Sequence, residues 1–447
     1  MTNSTALYLS LALGVSIAFG YCLTSSLLPS RLSWLRLALA PGAGAGVCAF
    51  ILFLFRRPMF TVEFALLGVM VWFLWRRRRV AFTGMNISDW PAPLLALTIP
   101  ALTLAAYAFV VRVYRMPHGN WDGWAIWNWE ARLLYRAGPH WRDFLPFAFH
   151  GDYPLLVPSM TARFWRYTGF EVPEAGAWLG IVLAFCSIAV LGLTLAELRG
   201  AGLGTLLALT LVGTPNYLAY ATSQYADIPL GFFFLGAVAL IAIHFEREAQ
   251  PGRMRILALA GFLAGCAGWT KNEGILFISS ACTALLLPAF RQRSQTLRRL
   301  AAFSAGAALP LAVIVIFKLT NQVQNDIVAY GKLQKVLDLS RHAMIVSYVG
   351  KHLFSFGVWS LSPFIPLLAL IVFTGIDRRA VAGLGWLTLV CIMFLVSAGY
   401  YFVYLTTPIE LKVHIESSMD RLLLQIWPSL LLIGGLMCKP DVRQTES

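Results

Sequence analysis

Residues 92–113 read APLLALTIPALTLAAYAFVVRV, and soon after comes Trp121-Asp122-Gly123-Trp124-Ala125-Ile126-Trp127-Asn128-Trp129-Glu130. An apolar run of that length makes a helix of ~33 Å, enough to cross a hydrocarbon core of ~30 Å. The indole rings that follow settle at the headgroup level, being apolar in body and polar at one edge. Carboxylates in such a belt serve no packing need and cost free energy unless something uses them. The two segments together read as a membrane helix that delivers a polar loop to the interface, with Asp122 and Glu130 as candidate reacting groups.

Outward from this point the pattern repeats. Apolar runs of about 15 to 23 residues recur between short charged connections from Leu7 to Met437, the period of helices and not of alternating barrel strands. Hydrophobic residues make up 58% of the 447, charged residues 13%, and mean hydropathy is +0.70. Those values exclude a water-soluble core with a polar shell. The expected fold is all-α, a polytopic membrane bundle with interfacial helices in its outer loops. Expected spans are 6–28, 35–55, 60–75, 92–113, 175–195, 201–221, 228–244, 256–270, 275–290, 300–318, 356–374, 380–403 and 421–437, about thirteen in all.

Short arginine-rich loops mark the cytoplasmic side: Arg76 to Arg79, Arg247 with Arg253 and Arg255, Arg291 to Arg299, and Asp377-Arg378-Arg379. Arg56 and Arg57 alone break the rule, since the count puts them outside. The long segments 114–174, 319–355 and 404–420 then face away from the cytoplasm, and the chemistry is expected there. The net charge of +14 lies beside apolar runs, which fits topology and contacts with membrane lipids and excludes nucleic acid as a partner. All seven cysteines fall in or at the end of apolar runs, so no disulfide is expected. The first helix lacks the basic start of a cleaved signal peptide and is expected to be retained.

Within the first outer loop, Trp124, Trp127, Ala131 and Leu134 fall within about 80° on a helical wheel, with Asp122 roughly opposite. That is a helix lying in the interface. Asp152 before Tyr153-Pro154 has the place of a helix cap, and Glu171 and Glu174 that of helix-end charges. His118, Asp122, His140, His150 and Asp152 match no metal-ligand spacing; a divalent ion is possible chemistry there, but none is expected.

Some charges sit too deep for a surface role. Fifteen residues separate Arg255 from Lys271, about 22 Å of helix, so Lys271 and Glu273 lie below the far surface, as does Asp227 at the head of another short span. Each costs about 2.5–3.5 kcal/mol at mid-membrane unless it faces a partner or a wet cavity. A polar cavity in the bundle is expected, against the plainer alternative of ion pairs that only lock helices together. Gly261 and Gly265, at small-xxx-small spacing, are read as packing.

The acidic Trp-rich loop after a membrane helix, then His150-Gly151-Asp152-Tyr153-Pro154-Leu155-Leu156, Gln224-Tyr225-Ala226-Asp227, Thr270-Lys271-Asn272-Glu273-Gly274, and Thr407-Pro408-Ile409-Glu410 to His414, Ser418, Arg421 and Gln425 follow in an order that resembles the GT-C superfamily of integral-membrane glycosyltransferases. Protein O-mannosyltransferases and the lipid A aminoarabinose transferase belong to that superfamily. The resemblance spans about residues 92 to 437, making 1–90 additional N-terminal helices and 91–447 the catalytic region. It departs in one respect: the acidic loop follows the fourth expected span instead of the first.

The resemblance implies a polyprenyl-phosphate-linked sugar as donor, a glycan, lipid or protein acceptor, a bacterial inner-membrane location, and Asp122 as general base. A sugar hydroxyl needs such a base, and the departing phosphate needs cations held in low dielectric. Catalytic candidates are therefore Asp122 and Glu130; substrate-binding candidates are Asp152, Tyr153, Asp227, Lys271, Glu273, His414 and Arg421. Glu130 is read as orienting Arg132, a neighbour or acceptor hydroxyls. The rival reading is a transporter or flippase for glycolipid intermediates, and a third is a scaffold without chemistry.

Overall fold

The computed structural model describes residues 3–77, 82, 90–246, 252–321, 323–325, 329–358 and 362–440. Arg78, Arg79, Arg247 and the side chain of Arg291, counted above among the orienting charges, lie outside the described residues. In chain order the helices are α1 (Asn3–Leu27), α2 (Ser33–Phe55), α3 (Met59–Arg76), α4 (Ala92–Arg115), α5 (Asn128–Arg136), α6 (Leu156–Thr168), α7 (Ala175–Leu198), α8 (Ala201–Val212), α9 (Pro215–Ala221), α10 (Asp227–Glu246), α11 (Arg253–Thr270), α12 (Asn272–Leu285), α13 (Ala289–Thr320), α14 (Leu339–Ser355), α15 (Phe364–Thr374), α16 (Arg378–Ala382), α17 (Leu384–Thr406) and α18 (Leu411–Met437). Among the described residues the only β pairing is an isolated bridge, Ile376 with Cys438.

Nine of these helices are long and apolar enough to cross a membrane: α1 to α4, α7, α10, α13, α17 and α18. A multi-pass membrane protein follows from them. The other expected spans are short or interrupted helices among the described residues, and 359–361 of the expected span 356–374 lie outside those residues. The stretch 201–221 splits into α8 and α9, because Pro215 opens α9 and cannot continue the hydrogen-bond ladder of α8. The stretches 256–270 and 275–290 form α11 and α12, separated at Lys271, whose backbone is extended (φ −160°, ψ 157°). Helix α15 has only 11 residues. Helix α18 begins at Leu411 rather than 421, its early turns tied down by hydrogen bonds of His414 with Thr407 (2.9 Å) and of Ser418 with Tyr404 (2.8 Å).

Helix α10 occupies the middle, its most apolar window wholly buried by protein. Small residues let its neighbours approach: an added Cβ at Gly231 would stand 3.1 Å from the Gln425 carbonyl of α18. Gly261 and Gly265 do what was read from their spacing, since a Cβ on Gly261 would fall 1.9 Å from the Phe303 carbonyl and one on Gly265 would strike Pro310. Helices α3 and α4 are the opposite case, with 17% and 11% of their apolar windows buried. Leu104 and Val110, each 68% exposed, give α4 a surface suited to lipid chains.

The first three helices share this core. Phe53 of α2 meets Trp269 of α11 edge-on at 4.9 Å, and Arg163 of α6 forms a two-pronged ion pair with Glu63 of α3 (2.6 and 3.1 Å), both side chains fully buried. Tyr167 and Ser16 complete the hydrogen bonding of that pair. Between α4 and α6 the chain runs through a single π-helical turn, Gly123–Trp127, then α5, then a 3₁₀ stretch, Gly138–Phe147. The wide turn changes the helical phase. Trp127, Ala131 and Leu134 are buried as expected, but Trp124 is 48% exposed and not part of their face.

Candidate functional site

Asp227 is the first residue of α10 and Glu273 the second of α12, so each carboxylate sits where a helix presents unpaired N–H groups and a positive dipole end. Lys271 stands between them because α11 stops there. Its extended backbone and Gly274 reverse the chain so tightly that a Cβ on Gly274 would lie 2.0 Å from the Ala267 carbonyl. Arg421 and Gln425 are one turn apart on α18 and therefore share a face. Both reach Asp227.

The result is a continuous chain of charges. Arg421 contacts Asp122 (Nη2 to Oδ2, 2.7 Å) and Asp227 (Nε to Oδ2, 3.0 Å); Lys271 contacts Asp227 (3.2 Å) and Glu273 (2.7 Å). Gln425 donates to the other oxygen of Asp227 (2.6 Å) and accepts from the Tyr400 hydroxyl (2.6 Å). Asp227 is fully buried and Lys271 nearly so, whereas Asp122 and Arg421 keep 14% and 15% of their side chains exposed. Three carboxylates and two cations alternate along the chain, which is buried at Asp227 and Lys271 in its middle and partly open at both ends, Asp122 and Glu273.

Asp122 is brought there by loop contacts. Its own N–H donates to the Tyr225 hydroxyl (3.3 Å), and the Tyr225 ring lies under the Arg421 guanidinium, 4.8 Å from centroid to Cζ. The Asn120 N–H donates to the Ser223 carbonyl (3.1 Å), a carbonyl that a Cβ on Gly119 or Gly123 would crowd to 2.3 or 2.6 Å. Gln224, at φ 62°, holds the far side by donating to the Pro117 and Pro173 carbonyls and accepting from Asn128. Only close backbone approach between 116–123 and 223–225 allows Asp122 to meet residues a hundred positions away.

A second polar centre adjoins the first. Asp152 accepts from Asn272 (2.8 Å) and Asn325 (2.9 Å), and Lys318 donates to its backbone carbonyl (2.5 Å) and to Asn272 (2.9 Å). Asp152 does not cap α6, which starts at Leu156 with no side-chain cap. Tyr153 stacks on His150 (4.7 Å) and on Trp127 (5.6 Å). Burial pushes its hydroxyl well above the usual range, with Lys271 opposing and Glu273 and Asp152 adding. Tyr153 thus feels both centres.

Glu130 departs from expectation. Arg132 pairs with Glu171 (3.2 Å), which also binds Arg136 through both its oxygens, so Glu171 is an ion-pair partner and Glu130 orients no arginine. Glu130 is 1% exposed, and neither carboxylate oxygen has a hydrogen-bond partner among the described residues. Burial raises its pKa well above the usual carboxylate range, with Asp152 adding and Lys318 opposing. Burial beside Asp152 thus favours the neutral form of this acid. His414 shares a hydrogen bond with Thr407 (2.9 Å) and meets the Tyr404 ring edge-on (5.1 Å), on the same side as Glu273 but not bonded to it.

Gln425, Tyr225, Tyr400, Lys318, Asn272 and Asn325 belong to the two centres and were not chosen as site residues. Gln425 and Lys318 carried a signal all the same: each is polar within or at the end of an apolar helix. Among the described residues no three His, Cys, Asp or Glu side chains gather as a metal ion would need, and all seven cysteines are free. Comparison of the chain with protein-family models, with curated proteins and with solved structures found no match.

Proposed function

We propose that the protein is an inverting membrane glycosyltransferase of the GT-C type, a bundle of about thirteen spans that moves a sugar from a polyprenyl phosphate to an acceptor outside the cytoplasm. The observation that carries this reading is the ion chain Asp122–Arg421–Asp227–Lys271–Glu273, in which the Asp122–Arg421 contact keeps both partners partly exposed. A donor phosphate arriving beside Arg421 and Lys271 competes with Asp122 for the guanidinium fork, which suits phosphate oxygens in pairs. Asp122 is released as the donor binds. It then takes the proton of the acceptor hydroxyl while that oxygen bonds to the anomeric carbon. On the opposite side the bond from that carbon to the phosphate oxygen breaks, and its electron pair leaves on the phosphate. The two cations meet the growing charge in a site sheltered from water.

Purified protein given lipid-linked sugars should release polyprenyl phosphate. Asp122→Asn should lower turnover by about 10²- to 10⁴-fold, the usual worth of a general base, with thermal unfolding little changed. Unchanged turnover in this variant removes the base assignment, and no release from any lipid-linked sugar removes the transferase reading.

One observation favours a second reading, transport or flipping of a glycolipid. The break between α11 and α12 leaves a charged residue at a helix interruption inside the bundle, as discontinuous transporter helices do. Movement of an intact substrate across reconstituted vesicles, without covalent change, would select it.

A further inference from the structure

Arg56, one of the two residues that break the charge rule of the short loops, follows α2 at the turn into α3. Its guanidinium donates to the Gly138 carbonyl and lies over the Trp141 ring, 4.7 Å from the centroid. Arg142 lies over the same ring at the same distance, and Arg166 of α6 donates to the Arg56 carbonyl (2.8 Å). Two arginines therefore flank one fully buried indole, and a third, Arg166, is tied to the backbone of the first.

Among the described residues none of the three makes a salt bridge, and the neighbouring Asp143 is turned to His140 (3.3 Å). The Arg142 fork makes no hydrogen bond to the described residues. Nε of Arg142, Nε of Arg166 and Nε1 of Trp141 are buried without an acceptor. Burial, with Arg142 and then Arg166 adding like-charge repulsion, pulls the Arg56 pKa down to about 10. Clustering like charges against buried, unfilled donors costs stability, and an anion with several oxygens at once would reverse that cost.

We propose that Arg56, Arg142 and Arg166 around Trp141 form a binding site for a phosphate anion, distinct from the Asp122–Glu273 chain. A phosphate monoester or diester supplies the acceptors the three donors lack, and planar guanidinium groups match its oxygens in pairs. The Trp141 ring holds two of the forks in place by cation–π contact. A lipid headgroup and a soluble phosphate share this chemistry. The site lies in the loop region expected to face away from the cytoplasm, so the arginines there are explained by a ligand and not by topology.

Thermal unfolding of the full chain in phosphatidylcholine nanodiscs reads the outcome without any assay of activity. Inorganic phosphate should raise the midpoint above that in chloride of equal ionic strength, or phosphatidylglycerol in the disc should raise it above phosphatidylcholine alone. The first result identifies a soluble phosphate and the second a lipid headgroup; both together identify a site open to either. Arg142→Gln, which breaks no hydrogen bond, should unfold at the wild-type temperature or above without anion and bind phosphate at least about tenfold more weakly. Arg142→Lys keeps the charge but not the fork and should fall between. Wild-type protein indifferent to both anions overturns the proposal, and so does equal binding by wild type and Arg142→Gln.

Discussion

Glu130 shows what a single buried group dictates. Burial favours its protonated form, so the folded chain holds the proton to higher pH than the unfolded chain, which releases it near the ordinary carboxylate pKa. Where the folded state binds more protons, stability falls as pH rises. The stability tied to Glu130 is therefore fully present below the unfolded pKa and is lost as pH climbs toward the raised folded value, with a slope of at most about 1.4 kcal/mol per pH unit. Glu130→Gln mimics the neutral acid, and its unfolding midpoint should be flatter than that of wild type between pH 5 and pH 7 (roughly the window above a free carboxyl). Equal slopes in the two proteins would mean that Glu130 is ionised in the fold.

At the scale of elements, the reversal between α11 and α12 fixes the site. Gly274→Ala puts a methyl group into the Ala267 carbonyl and should cost about 1–3 kcal/mol, seen as a lower unfolding midpoint. Gly350→Ala in α14 meets nothing within 4 Å and should cause no loss, which makes it the control. The burial of Lys271 and Asp227 was legible in the sequence because short apolar runs flank them; Glu273 keeps 21% of its side chain exposed. Pairing of Lys271 with Glu273 or Asp227 was legible as the helix-locking alternative, but Arg421 and Gln425 as partners of Asp227 were not, since which face of α18 meets the head of α10 depends on packing that no local pattern encodes. Trp124 shows the other limit: a 100° step per residue places it on the buried face, and one π turn moves it off. Glu171 was read as a helix-end charge because its partners Arg132 and Arg136 lie on another element, across a proline-rich stretch.

Over the whole molecule, the Arg163–Glu63 pair ties the first three helices to the loop-bearing half. Breaking a buried pair leaves an uncompensated charge, so Arg163→Met should cost about 3–5 kcal/mol, while Arg163→Met with Glu63→Leu should recover most of it. Unfolding of the three proteins in one detergent compares them, and a double variant no better than the single would show that the hydrogen bonds to Ser16 and Tyr167 matter more than the charge. The all-helical fold and the membrane class were legible from composition and run length. The shared core of residues 3–77 with the rest was not, because hydropathy marks each span without saying which spans touch.

Helix α10 is sheathed by protein along its length, while α4, which leads straight into the Asp122 loop, has most of its apolar surface bare. A bilayer of different acyl-chain length leaves α10 and Asp227 where they are but changes the tilt that α4 must adopt to match its hydrophobic thickness. The two ends of the Asp122–Arg421–Asp227 bridge thus answer to different surroundings, one to protein and one to lipid, and membrane thickness becomes a variable that sets how closely they meet.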